Sequence, residues 1–64
     1  MDKHYQDIHY TNSRLRDEFV IRCVIIVYID TDEDFINIYF RTKDDQSVRM
    51  LVVPKLHGSK LIID

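Results

Sequence analysis

The stretch Phe19-Val20-Ile21-Arg22-Cys23-Val24-Ile25-Ile26-Val27-Tyr28-Ile29 decides the fold. It is dense in β-branched and aromatic residues, which fit a pleated surface. Three further segments read the same way: FINIYFRT (35–42), which alternates, SVRMLVV (47–53), and LII (61–63). The breaks between them are DTDED (30–34), KDDQ (43–46) and PKLHGSK (54–60). Two short polar connections between three strands predict consecutive antiparallel hairpins, with a looser link to a fourth strand. Pro54 should end the third strand because it cannot donate to a ladder. Gly58 should supply a turn with positive φ.

A register follows from keeping one face apolar. Ile29 is placed opposite Ile36, Val27 opposite Ile38, Ile25 opposite Phe40 and Cys23 opposite Thr42. Phe40 is then set against Met50, Ile38 against Val52 and Thr42 against Val48. These residues make the expected core face. The other face carries Ile26, Tyr39, Leu51, Tyr28, Asn37, Val53, Val24 and Arg41, and is about half apolar. Such a face is too greasy to stand freely in water. Tyr5, Ile8, Tyr10 and Leu15, in the N-terminal segment, would cover one face only, so a second subunit is expected on the other.

Residues 1–18 are polar and mixed. Tyr5 to Ile8 and Leu15 to Phe19 have helical spacing, but Thr11-Asn12-Ser13 breaks a continuous helix, and Ser13 would cap a short turn running toward Glu18. The chain thus reads as a single mainly β domain over 1–64. An N-terminal arm or short helical turn occupies 1–18, and an open antiparallel sheet of about four strands occupies 19–64. With one glycine in the chain, the bends of a closed barrel are not expected.

Sixty-four residues bury only ~60% of the surface their unfolded chain exposes. Small domains add disulfides, a structural metal or a second subunit. Cys23 is the only cysteine, so an internal disulfide is excluded, and its apolar neighbours suggest a buried thiol in a reducing compartment. The formal net charge of −2 argues against general nucleic-acid binding. The run 19–29 is too short to span a bilayer as a helix and is interrupted by Arg22. The N-terminus lacks the apolar core of a signal peptide. A cytoplasmic protein is expected.

Four constellations carry the functional reading. In the register above Arg41 faces Arg49 and Arg22 falls near Lys43, on the same face as Tyr28 and Tyr39. Like charges set opposite each other destabilise a strand pair unless an anion or acidic surface lies between them. The plainer alternative is that Glu18, Asp44 and Asp45 neutralise the cluster. The acidic turn 30–34 resembles the first half of a calcium loop, but Phe35 and Arg41 stand where that loop needs Gly and Glu, so a hairpin turn capped by Asp side chains is the simpler expectation. His4, Asp7, His9 and His57 show no ligand spacing that defines a metal site. Cys23 lies in mid-strand, where burial silences a thiol, no nucleophile elbow is present, and one glycine cannot make a phosphate loop. Neither an enzyme nor a cofactor is expected.

The function expected from these residues is a small protein–protein interaction module, a regulator or inhibitor working as a homodimer. By analogy, compact acidic chains of this kind suggest a phage or viral origin. The partner-binding residues would be Tyr28, Tyr39, Arg41 and Arg49, since aromatics and Arg dominate binding hot spots. The alternatives are a nucleic-acid-binding module using Arg22, Arg41, Lys43 and Arg49, and a structural subunit of a larger assembly.

Overall fold

The computed structural model describes residues 5–64, and His4 lies outside them. Five antiparallel strands follow one another: β1 (Gln6–Asn12), β2 (Asp17–Thr31), β3 (Phe35–Thr42), β4 (Asp45–Pro54) and β5 (Ser59–Ile63). They form one open sheet in the order β4-β3-β2-β1-β5. No described residue is helical. The mainly β, open antiparallel architecture is as the sequence predicts, with five strands in place of about four.

The added strand is β1. The segment expected as an arm or helical turn alternates as a strand does, with Ile8, Tyr10 and Asn12 buried and the residues between them half-exposed. It lies between β2 and β5. Helical spacing at Tyr5 and Ile8 coexists with period-two spacing at Ile8 and Tyr10. Pairing on both sides favours the strand. Residues 13–16 form the turn to β2.

β2 organises the molecule. Its first half pairs with β1 from Asp17 to Val24, and its second half pairs with β3 from Ile25 to Thr31. Fifteen straight residues would run roughly 45–50 Å, yet the longest dimension of the molecule is 40 Å. β2 therefore bends. The bend is made without glycine: Cys23 has φ 58°, in the left-handed region that non-glycine residues rarely enter, and its main-chain N–H donates to the Asp7 Oδ1 at 2.9 Å. Register shifts fall between Gln6 and Ile8, between Ile26 and Tyr28, and between Phe40 and Thr42. Bending devices judged absent from the glycine count are thus present, although the sheet stays open. Cys23 is exposed at this bend, not buried in mid-strand as its apolar neighbours suggest.

The core is the face that carries Ile8, Tyr10, Val24, Ile38, Phe40 and Val53, flanked by Phe19, Ile21, Ile26, Ile36, Leu51, Leu61 and Ile63. For β3 this is the expected face. For β4 it is the opposite one: Phe40 pairs with Arg49 and Ile38 with Leu51, a one-residue slip that turns Met50 and Val52 outward. In β2 Ile29 pairs with Ile38, but the shift between Ile26 and Tyr28 sends Ile26 inward beside Phe40. Val24 and Ile26, and not Val27 and Ile25, thus face the core.

Pro54 ends β4 and Gly58 has φ 87°, both as predicted. The end of the molecule bearing the β1–β2 turn is tied by Asn12, which is buried. Its Oδ1 accepts the N–H groups of Arg14 and Leu15 at 3.0 and 2.9 Å. Its Nδ2 donates to the His57 carbonyl and the Ser59 Oγ. Both polar atoms are satisfied, as burial demands.

Candidate interaction face

The outer surface of β2, β3 and β4 is the candidate site. Pairing sets Tyr28 beside Tyr39 and Tyr39 beside Met50 in a row across three strands. The two tyrosine rings lie with centroids 5.9 Å apart and planes tilted by 41°. Tyr28 is 60% exposed and Met50 52%. Val48, Val52, Phe35 and Val27 are exposed around the row. Alternation explains the grouping: with Ile36, Ile38 and Phe40 in the core, Phe35, Asn37 and Tyr39 must point out.

Of the residues expected to bind a partner, Tyr28 and Tyr39 are therefore neighbours. Arg41 and Arg49 are not. Arg41 pairs with Ile25 and its Nη1 donates to the Thr42 carbonyl at 3.2 Å. Arg49 pairs with Phe40, on the core side, in the middle of the edge strand β4. The expected Arg41–Arg49 juxtaposition fails because β4 is shifted by one residue.

Two of the cations have carboxylate partners. Arg22 lies 3.4 Å from the Asp7 carboxylate beside the bend. Arg49 lies 3.6 Å from the Asp45 carboxylate, the neutralisation that the plainer reading anticipates. Lys43 lines a shallow cavity of about 290 Å³ with Tyr5, Cys23, Thr42 and Asp44. The Asp45 carboxyl is held below its ordinary pKa by the Ser47 amide hydrogen bond, and further by the Ser47 hydroxyl and Arg49. In the acidic turn the Asp32 Oδ1 accepts the N–H groups of Asp34 and Phe35 at 3.0 and 2.8 Å, and the Asp32 carbonyl accepts from the Lys55 ammonium. This is a turn capped by its own side chain. Among the described residues no three His, Cys, Asp or Glu side chains are grouped as a metal site requires. No described helix is long and apolar enough to cross a membrane.

Met50, Val48 and Val52 are the face residues that the sequence reading assigns to the core. The run Val48–Val53 is apolar at every position but Arg49, so alternation leaves two faces open. Arg49, on the edge strand where its guanidinium reaches water and Asp45, misleads the parity.

No protein-family model matches the chain, and no curated protein and no solved structure is significantly similar to it.

Proposed function

We propose that the chain is a cytoplasmic protein-binding module, a regulator or inhibitor that covers part of a target's surface and works as a homodimer. The observation that carries this reading is the outer-face row of exposed Tyr28, half-buried Tyr39 and exposed Met50, with the apolar residues around it. Among the described residues six hydrophobic side chains are buried, while twelve large ones are substantially exposed. Six of the twelve, Val27, Tyr28, Phe35, Val48, Met50 and Val52, lie on the outer surface of β2, β3 and β4, and an apolar patch of that kind marks an interaction surface. Tyrosine and methionine suit it, the first giving large rigid contact area and the second an adaptable one.

Nucleic-acid binding is less well supported. Two of its four cations, Arg22 and Arg49, are held by carboxylates.

The test is capture of binding proteins by the immobilised chain from the cells that make it, with and without nuclease, compared with Tyr39→Ala and Tyr28→Ala. A protein retained by the native chain after nuclease, and lost on both variants, is the expected result. Equal retention by folded Tyr39→Ala removes the face from consideration. Loss of all captured material on nuclease treatment would transfer the reading to nucleic acid.

A further inference from the structure

We infer that the homodimer forms by antiparallel pairing of β4 with β4 of a second copy, with Met50 opposite the partner's Met50. The inference rests on the proposal that the chain self-associates and names the surface that does it.

The main chain of β4 supplies the first argument. The Lys55 N–H donates to the Asp34 carbonyl at 2.8 Å, so the main-chain groups of Lys55 point toward β3. Hydrogen-bonded and non-hydrogen-bonded pairs alternate along an antiparallel ladder. Val53, Leu51 and Arg49 therefore bond toward β3 at Ile36, Ile38 and Phe40. Val52 and Met50 aim their N–H and C=O groups away from β3. On that side no strand lies beside β4 among the described residues. The same two residues carry exposed apolar side chains. A ten-residue edge strand with free main-chain groups and an apolar face is a template for another strand.

The second argument is symmetry. A two-fold axis normal to the sheet keeps outer face beside outer face only where the numbers of opposed residues sum to an even value. Centring the axis on Arg49 would oppose two guanidinium groups. Centring it on Met50 places Val48 against the partner's Val52, so that apolar side chains meet across the axis on the outer face. Pro54 faces the partner near the end of the paired stretch and has no N–H to donate, so the ladder lacks one hydrogen bond at each end. The outer row then becomes continuous across the axis: Tyr28, Tyr39, Met50, then the partner's Met50, Tyr39 and Tyr28. At about 4.8 Å per strand, the shared face spans six strands.

The other edge fits less well. The Asp7–Asp64 main-chain pair places Ile63 and Leu61 with their free groups outward while their side chains pack at the core. Antiparallel β4–β5 pairing between copies would set the outer face of one against the inner face of the next. β5 is also short, and Lys60 charges it.

Sedimentation and light scattering of the purified chain, with Met50→Lys and Met50→Glu, test the inference. The native chain is expected at two chains per particle. Each variant should dissociate at concentrations about 100-fold higher, since like charges would meet at the axis, and an equimolar mixture of the two should re-form a dimer. A monomeric native chain, a ring or open polymer, or variants that remain dimeric each overturn it. Monomeric native chain would also remove the homodimer from the proposed function, whereas dimeric variants overturn only this interface. Capture of a target lost on Tyr39→Ala stands independently of both. If circular dichroism finds the charged variants unfolded, Cys23→Ser/Met50→Cys replaces them: mild oxidation should join two chains, and failure to cross-link overturns the register.

Discussion

Asn12 reaches Ser59 across the β1–β5 pair, its Nδ2 donating to the Ser59 Oγ at 3.0 Å, and the two residues are direct partners in the register. The Tyr10 hydroxyl meets the same Ser59 oxygen at 2.9 Å. One buried amide thus joins the β1–β2 turn, the loop after β4 and the edge strand β5. Replacing Asn12 with Ala removes four hydrogen bonds and leaves a small void. The variant should lose roughly 2–3 kcal/mol of stability, within the range for breaking a buried polar network. Urea unfolding followed by circular dichroism would measure it, and a loss below about 0.5 kcal/mol, the ordinary scatter of surface changes, would contradict the bracket.

Two left-handed positions should respond with opposite sign. At Gly58, φ 87°, an added Cβ would lie 3.0 Å from the Arg14 Cγ and 3.2 Å from the Ser13 Oγ. Gly58→Ala is therefore expected to cost about 1–2 kcal/mol, the left-handed penalty for an L-residue. Arg16 is exposed, and its φ is 55°. Arg16→Gly should remove that penalty at the smaller entropic cost of glycine, a net gain of about 0.5–1 kcal/mol. Thermal unfolding of the two variants beside the native chain is sufficient, and a shift of the same sign in both would refute the argument.

Asp45 should be an acid-range contributor to stability. Its carboxylate accepts the Ser47 N–H at 2.9 Å and lies near Arg49, and its folded pKa is lowered. A depressed pKa means that the folded state holds the ionised form more tightly than the unfolded chain does. The contribution is whole above the unfolded value, about 3.9, and is lost as pH falls through the folded one. The carboxyl is open to water, so the effect is small. Carbon-detected titration by nuclear magnetic resonance should find Asp45 below an unperturbed aspartate. Ser47→Pro, which removes the amide donor, should bring it back up, and an unchanged midpoint in that variant would deny the stated cause.

β2 and β3 were legible because two local signals agree there. Their β-branched density marks strands, and Asp32 after Thr31 marks a turn whose side chain caps its own amides. β1 was not, because its third inward residue is Asn12, a polar side chain whose burial depends on Ser59, forty-seven positions away. The outer face was half legible. Tyr28 and Tyr39 keep their side whatever happens to β4, but Met50 and Val52 depend on a one-residue register. That register depends on irregular pairing beside Phe40, which no glycine marks. Cys23 illustrates the same limit. Its left-handed backbone is held by the Asp7 carboxylate, an interaction between strands that composition along β2 does not reveal.

The Tyr28–Tyr39 pair separates binding from folding, and that separation can be measured. The rings touch at the outer surface, away from the buried cluster. A cross-strand aromatic pair of this kind is worth roughly 0.5–1 kcal/mol beyond its burial. In a double-mutant cycle, Tyr28→Ala and Tyr39→Ala should each unfold cooperatively, and their coupling should fall near that value. Both single variants should keep the near-native β spectrum, because Ile8, Tyr10, Val24, Ile38, Phe40 and Val53 are untouched. A coupling indistinguishable from zero would mean that the rings do not pack against each other in solution. Collapse of the fold in either variant would assign the tyrosines to the core, and their exposure could then no longer be taken as the mark of a binding face.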